Sequence, residues 1–222
     1  MNSPKSDVFA QFAEIARVLG EANRLELLEH TAQGERPVER LAELSGLTVA
    51  NASRHLQVLR RAGLVRARRD GKQVLYSLGD GPVLDLLHAL RRYAEHASGE
   101  MRRVVSDYFR RLDALEPVSR AEIARRVKEG SVLLLDVRPT DEFALGHLPG
   151  ALNIPLGQLS RQLTKLPKRM QIVAYCRGPY CVLSFEAVAA LRAKGYDARR
   201  LEDGYPEWKM AGLPVEAMGG AD

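Results

Sequence analysis

The 222-residue sequence predicts two domains of different fold class. Residues 1–115 are expected to form a mainly α-helical domain with a β-hairpin, and residues 116–222 an α/β domain with a mostly parallel sheet. Apolar residues recur at helical spacing through the first half, and Asp70-Gly71 separates two short strand-like runs. After Glu116-Pro117, helical segments alternate with short apolar runs, which is typical of βαβ units.

Helical spacing in the first half predicts a series of helices. The apolar pattern of residues 8–29 indicates two helices interrupted at Gly20, and that of residues 38–44 indicates a short helix. Thr48 is a good N-cap for a further helix that ends near Gly63. Two helices joined by a tight turn are therefore expected between residues 38 and 63.

A hairpin is expected directly after these helices. Residues 64–69 and 73–78 have the composition of strands, and Asp70-Gly71 between them is a strong hairpin signal. A type I′ turn there needs positive φ at both central residues. Helix, tight turn, helix and hairpin together make a winged helix-turn-helix.

Positive charge is concentrated in this motif. The chain has a formal net charge of +5 and a pI near 9.4. Between residues 54 and 72, Asp70 is the only acid against a run of basic side chains: Arg54, Arg60, Arg61, Arg66, Arg68, Arg69 and Lys72. This density favours nucleic-acid binding over the alternative of a merely solvated face.

The stretch LAELSGLTVANASRHLQVLRRAGLVRARRDGKQVLYSL, residues 41–78, resembles the DNA-binding core of the ArsR/SmtB family of bacterial repressors. Its most specific part is SRHLQVLRRAGLV followed by the basic wing, and the likeness extends over about residues 9–112. The resemblance implies a homodimer that binds double-stranded, pseudo-palindromic operator DNA, with the second helix of the motif in the major groove.

Two groups of residues are the DNA-binding candidates. Hydrogen-bonding side chains on the outer face of the second helix are expected to read base edges: Asn51, Ser53, Arg54 and Gln57. Basic side chains on the wing are expected to attract phosphates: Arg66, Arg68, Arg69 and Lys72. His55, with Arg60 or Arg61, is expected to pack or to meet phosphate. A winged helix used only for protein contacts is the alternative.

An apolar stripe over residues 83–112, with an interruption near Ser98-Gly99, is longer than so small a domain needs. It is interpreted as a dimerisation helix, with ordinary core packing as the alternative.

Metal binding is not expected. Many members of the resembled family bind metals through cysteines on the helix before the recognition helix, and residues 38–44 contain none. A second family site uses acids and histidines of the last helices. Here Asp85, His88, Glu95 and His96 are of the right types, but their spacing departs from that pattern, so they are assigned to a solvated face. No cofactor is expected.

The second half contains expected strands at 132–137, 172–175 and 198–201, with helices at 120–129 and 183–194. Residues 133–215 resemble the single-domain rhodanese family through three separated motifs: LLLDVRPTDEFALGHLPGALNIPL, IVAYCRGPYC and LEDGYPEWKMAGLPV. The resemblance implies a persulfide-forming cysteine at Cys176, and it assigns Asp136, Arg138 and His147 to the scaffold.

The chemistry is expected in the loop Cys176-Arg177-Gly178-Pro179-Tyr180-Cys181. Backbone N–H groups between a strand end and a helix start lower a thiol's pKa, and Arg177 adds positive charge. Arginine frequently occupies the sixth position in relatives that use thiosulfate, and Cys181 stands there instead. Cys181 is interpreted as a second thiol that can attack modified Cys176, the alternative being a small apolar residue. Relatives with phosphatase or arsenate-reducing activity have a longer loop ending in arginine, which this sequence lacks.

These observations predict a cytoplasmic regulator. The first ten residues lack an apolar signal-peptide core, no long uncharged apolar run occurs, and the two cysteines lie five apart, which suggests redox chemistry rather than structural crosslinking. The expected function is DNA-binding regulation that responds to a small sulfur donor or related oxidant at Cys176. The alternative is an active sulfurtransferase whose DNA binding serves autoregulation.

Overall fold

A computed structural model describes residues 3–104 and 117–218. The chain forms two compact units that divide after Asp85. The domain boundary predicted at 115/116 lies outside the described residues and stays a prediction. The same holds for part of the apolar stripe, namely Val105, Tyr108, Phe109 and Leu112.

The first unit is built from helices and a small antiparallel sheet. Its elements are α1 (Pro4–Leu19), α2 (Ala22–Ala32), β1 (Arg36–Pro37), α3 (Val38–Leu44), α4 (Val49–Arg61), β2 (Val65–Asp70) and β3 (Gln73–Leu78). The sheet order is β1-β3-β2. The expected break at Gly20 and the N-cap at Thr48 are confirmed, since Thr48 Oγ1 accepts the Asn51 N–H at 3.3 Å. The short strand β1 was not predicted.

The hairpin turn differs from the expectation. Asp70 pairs with Gln73 as the last rung of the β2–β3 ladder, so Gly71 and Lys72 are the central turn residues. Only Gly71 has a positive φ, 58°, and no non-glycine residue of the described chain has one. The prediction of a type I′ turn centred on Asp70-Gly71 is therefore wrong, and positive φ at the first central residue alone is typical of type II′.

The core of the first unit orients α4. Ala52, Leu56 and Leu59 are fully buried, together with Leu27 and Leu28 of α2. Burying each leucine side chain contributes roughly 1.5–3 kcal/mol, so the rotation of α4 about its axis is strongly determined. The opposite face of α4 is left outside.

Helix α5 (Val83–Ala97) follows the wing, and α6 (Gly99–Val104) begins after Ser98, where the interruption was predicted. The division between the units falls within α5, whose residues from Leu86 onward belong to the second unit. Across residues 3–104 and 117–218, every helix is too short or too polar to cross a membrane.

The second unit is an α/β domain with a four-stranded parallel sheet of order β5-β4-β6-β7. After α5 and α6 its elements are α7 (Arg120–Lys128), β4 (Val132–Asp136), α8 (Thr140–Leu145), β5 (Leu152–Asn153), α9 (Leu156–Gln162), β6 (Gln171–Tyr175), α10 (Val182–Ala193), β7 (Ala198–Arg200) and α11 (Tyr205–Met210), with a 3₁₀ turn at Leu163–Lys165. The predicted fold class is confirmed for both halves, whereas α8, β5, α9 and α11 were not predicted as elements.

Successive residues of β6 point to opposite faces of this sheet. Ile172 and Ala174 belong to the apolar cluster that contains Val188 of α10. Val173 and Tyr175 belong to a second cluster on the α7 and α11 side. Because β6 lies inside the sheet, its carboxyl end delivers Cys176 to the centre of the edge where parallel α/β proteins bind ligands.

Candidate functional site

The candidate base readers lie on the outer face of α4. Arg54 and Gln57 are exposed, and Asn51 and Ser53 are partly exposed. Gln57 Nε2 donates to Ser53 Oγ at 3.4 Å. His55 turns the other way, with Nδ1 3.3 Å from Glu21 Oε2 at the start of α2, so its side chain packs within the unit.

The wing presents Arg66, Arg68, Arg69 and Lys72, all exposed. Arg68 Nε lies 3.1 and 3.0 Å from the carboxylate oxygens of Glu35. Arg66 Nη1 lies 2.8 Å from Asp80 Oδ1. Sequence reasoning missed both acids, because Glu35 is distant in sequence and Asp80 lies beyond the hairpin. Arg69 and Lys72 make no ion pair within residues 3–104 and 117–218.

The two cysteines of the second unit meet. Cys176 directly follows β6 and Cys181 is the N-cap residue of α10, and their Sγ atoms form a disulfide. Their Cα atoms are 6.1 Å apart, within the usual range for bridged cysteines. The Cys181 N–H donates to Gly178 O at 3.1 Å, which closes the loop. Both side chains are buried, with exposures of 1% and 8%.

Arg177 is engaged by a buried carboxylate. Its Nε lies 3.0 Å from both oxygens of Glu142, and its Nη2 lies 2.6 Å from Glu142 Oε1. Glu142 is completely buried. Arg177 was predicted to add positive charge near Cys176, and the structure balances that charge with Glu142.

Asp136 and Arg138 form a completely buried ion pair behind the loop. Arg138 Nη2 lies 2.6 Å from Asp136 Oδ2 and donates to Gly146 O at 2.7 Å. Burial and the Asp136 charge raise the pKa of Tyr175 well above its ordinary value, so its phenol stays protonated beside this pair. These contacts match the scaffold role that the rhodanese resemblance implied.

His147 also has structural partners. Its ring stacks on Phe143 with centroids 3.7 Å apart, and its Nδ1 lies 2.9 Å from Phe143 O. Its backbone pairs with Glu216. His147 therefore joins α8 to the end of the described chain.

The start of α11 packs directly against the cysteine loop. A Cβ on Gly204 would lie 2.6 Å from Gly178 Cα, so only glycine permits this approach. The Tyr205 N–H donates to Cys176 O at 3.0 Å. The start of α11 is therefore in direct contact with the backbone of the loop.

Glu207 of α11 is a functional candidate that sequence reasoning missed, although it lies in the motif LEDGYPEWKMAGLPV. Its Oε2 accepts the Gly204 N–H at 3.0 Å, and its Oε1 lies 2.9 Å from His88 Nε2 and 3.5 Å from Arg91 Nη1. Burial raises the pKa of Glu207, but the His88 hydrogen bond and the Arg91 charge outweigh it and hold the pKa below its usual value. Arg91 also covers the Tyr180 ring at 5.3 Å from its centroid.

His88 was assigned with Asp85, Glu95 and His96 to a solvated face, and for His88 this was wrong, because its Nε2 contacts buried Glu207. Among the described residues, no three His, Cys, Asp or Glu side chains are grouped so as to hold a metal ion.

An exposed polar recognition helix beside a basic wing, together with a cysteine loop at the end of a central parallel strand, defines a DNA-binding regulator with a rhodanese domain. Residues 19–68 match the helix-turn-helix domain family, and residues 119–211 match the rhodanese-like domain family. The HTH-type transcriptional regulator Rv0324 of Mycobacterium tuberculosis is 39% identical over 96% of this chain and 93% of its own. The chain therefore belongs to the ArsR/SmtB-type winged helix-turn-helix transcriptional regulators that carry a C-terminal rhodanese-like domain.

Two further similarities cover single domains. A sulfurtransferase of Allochromatium vinosum is 36% identical over 90 residues, which are 40% of this chain and 82% of that protein. The homodimeric winged helix-turn-helix domain of Mb0332 from Mycobacterium bovis, solved by NMR, is 34% identical with a TM-score of 0.41, covering 44% of this chain and 92% of that one.

Proposed function

We propose that this regulator senses reactive sulfur or a related oxidant through Cys176 and changes its affinity for operator DNA in response. The observation that carries the proposal is the Cys176–Cys181 pair, which is able to bridge at the carboxyl end of the central strand. Oxidation of such a pair is chemically reversible by thiols, as a sensor requires.

The reaction with a low-molecular-weight persulfide RSSH balances in two steps. Cys176 loses its proton, and its thiolate attacks the terminal sulfur, which breaks the S–S bond, releases RSH and leaves a persulfide on Cys176. Cys181 then loses its proton and attacks Cys176 Sγ, expelling hydrosulfide and forming the disulfide. Two protein thiols are oxidised, and the transferred sulfur is reduced to sulfide. A thiol reductant restores both cysteines.

The loop favours this chemistry over oxyanion chemistry. A phosphate or arsenate site needs a free arginine fork to grip the anion. Here the loop arginine, Arg177, is bound to buried Glu142, and the sixth loop position is Cys181. Treating the full-length protein with glutathione persulfide, followed by intact-mass analysis and DNA titration, tests the proposal.

For DNA we propose that α4 enters the major groove with Asn51, Ser53, Arg54 and Gln57 toward the bases, while the wing contacts phosphates. Arg68 and Arg66 would exchange Glu35 and Asp80 for phosphate on binding. Arg69 and Lys72 make no ion pair within the described residues, so they would bind phosphate without first giving one up. Arg69 and Lys72 are therefore expected to contribute most of the electrostatic attraction between the wing and the DNA phosphates.

Arg54→Ala is expected to weaken binding to a DNA fragment selected by the wild-type protein by about 1–3 kcal/mol, because a base contact is lost. Binding to unrelated DNA should change little. Arg69→Ala, in contrast, should weaken binding to both fragments and reduce the salt slope by about one unit. Fluorescence anisotropy across a salt series measures both effects.

Arg68→Ala is the matched wing comparison, with a smaller expected loss than Arg69→Ala since Glu35 already competes for this side chain. If Arg54→Ala and Arg69→Ala reduced the affinity equally for the selected fragment and for unrelated DNA, Arg54 would no longer count as a base reader.

We also propose that the chain acts as a homodimer through α5. Leu86, Leu90 and Tyr93 lie on one face of this helix and are 37%, 39% and 70% exposed. On α1, Phe9 and Phe12 are likewise exposed, at 58% and 62%. Apolar faces of this kind mark subunit contacts.

Leu90→Glu is expected to convert a dimer at micromolar concentration to a monomer, because dimerisation would bury an unpaired carboxylate. Arg92→Glu on the same helix, outside the apolar face, is the control. Analytical ultracentrifugation reads both variants, and a wild-type protein that is already monomeric would contradict the dimer.

Sulfur transfer to an acceptor is the second candidate function, favoured by the similarity to the Allochromatium vinosum sulfurtransferase. It predicts steady turnover with thiosulfate and cyanide that Cys176→Ser abolishes. The sensor predicts stoichiometric modification coupled to DNA affinity instead, so the two assays on one preparation separate them.

A further inference from the structure

The cysteine loop is held on one side by two elements, α11 and α5. The α11 contacts are backbone ones, since Gly204 lies against Gly178 and the Tyr205 N–H bonds to Cys176 O. The α5 contacts are made by side chains. Arg91 covers the ring of Tyr180, which directly precedes Cys181.

Glu207 joins these two elements. One of its oxygens accepts the Gly204 N–H, and the other contacts both His88 and Arg91. Only 4% of the Glu207 side chain is exposed, so this carboxylate depends on its partners to offset the cost of burial. His88 and Arg91 are therefore firmly attached to the element that touches Cys176.

These two side chains lie on a helix that is continuous with the DNA-reading unit. α5 runs without interruption from Val83, which is buried and belongs to the first unit, to Ala97. His88 and Arg91 therefore lie on the same helix as residues of the DNA-binding unit.

We infer that His88 and Arg91 are positioning residues that link the redox state of the Cys176–Cys181 pair to α5, acting through Glu207 and Tyr180. This inference rests on the proposed sensing function and names its route. The disulfide restricts the six-residue loop and fixes Tyr180 under Arg91. Reduction removes the covalent restriction, so ordering Tyr180 costs more entropy and its contact with α5 weakens.

The contact between Arg91 and Tyr180 and the formation of the disulfide are thermodynamically linked, so the inference can be tested without DNA. A contact made more strongly in the bridged state stabilises the disulfide, so Arg91→Gln should shift the thiol–disulfide equilibrium with glutathione toward the dithiol by about two- to fivefold. Arg92→Gln is the matched control on the same helix; Arg92 is exposed, makes no ion pair within the described residues, and should leave the equilibrium unchanged. Acid trapping and mass analysis of the full chain measure the ratio.

Tyr180→Leu tests the same contact from the loop side and keeps the inference testable if Arg91→Gln folds poorly. It should shift the equilibrium in the same direction. The double variant Arg91→Gln/Tyr180→Leu should shift it by less than the product of the two single effects, because both remove one contact. A merely structural role for Arg91 would instead give independent effects.

DNA titration then separates this inference from the function on which it rests. Wild-type and Arg92→Gln proteins should show different affinities for the selected DNA fragment in their bridged and reduced forms, and Arg91→Gln should bring that ratio close to one. If Arg91→Gln retains both the wild-type equilibrium and the wild-type ratio, the inference is overturned while sensing stands. If the equilibrium shifts as expected but wild-type affinity ignores bridging, the contact is supported and the sensing function fails.

Discussion

The Cys176→Ser variant is expected to bind operator DNA like the reduced wild-type protein and to keep that affinity after treatment with glutathione persulfide. Wild-type affinity should change by a factor of about 5–150, which corresponds to the usual 1–3 kcal/mol of coupling between two sites. A serine hydroxyl is close to cysteine in size and cannot form a persulfide, so the chemistry is removed with little change in packing.

Cys181→Ser is the informative companion variant. It should still gain the mass of one sulfur atom at Cys176, because the first step needs only the Cys176 thiolate. It should not lose two hydrogens, because the bridge cannot close. If bridging is the switch, the change in DNA affinity should be smaller than in the wild type.

The sensing proposal would fail if modification of Cys176 left the affinity for DNA unchanged. Should intact-mass analysis show complete modification of wild-type Cys176 with DNA affinity unchanged within error, the sulfurtransferase function becomes the better account. The reciprocal measurement is a second check, since bound operator DNA must alter the equilibrium for modifying Cys176 by the same factor.

The Asp136→Asn variant is expected to lower the free energy of unfolding of the second unit by about 3–5 kcal/mol, because it removes the carboxylate charge that lies against the buried Arg138 guanidinium. Both side chains of this pair are completely buried. Arg138 keeps its bond to Gly146 O and its place 4.4 Å from the centroid of the Tyr205 ring, but neither contact replaces the Asp136 charge. Urea unfolding monitored by circular dichroism measures the loss.

Glu202→Gln is the matched control, since Glu202 is exposed and its change should stay within about 0.5 kcal/mol. The double variant Asp136→Asn/Arg138→Met should be less destabilised than Asp136→Asn alone, because it removes the buried Arg138 charge together with that of Asp136. A loss below about 1 kcal/mol in the single variant would contradict the structural role assigned to the pair.

Local patterns determined most of the secondary structure. The positions of α1 to α4, the wing strands and the central strands β4 and β6 follow from apolar periodicity and capping, both of which act over a few residues. The elements that were missed are short, namely β1, α8, β5, α9 and α11, and short elements have too few residues for a period to show. The predicted type of the hairpin turn was wrong because β2 continues one residue further than expected, so Asp70 pairs with Gln73 in the β2–β3 ladder.

The sequence by itself determined the two fold classes, the recognition helix and the position of Cys176, since these depend on spacing and motifs within contiguous segments. Only the tertiary structure decided the partners of the charged residues. Arg68 contacts Glu35, Arg177 contacts Glu142, and His88 contacts Glu207, at sequence separations of 33, 35 and 119. A charged side chain takes whichever opposite charge the folded backbone brings within about 4 Å. That choice depends on the whole path of the chain, so no local pattern contains it.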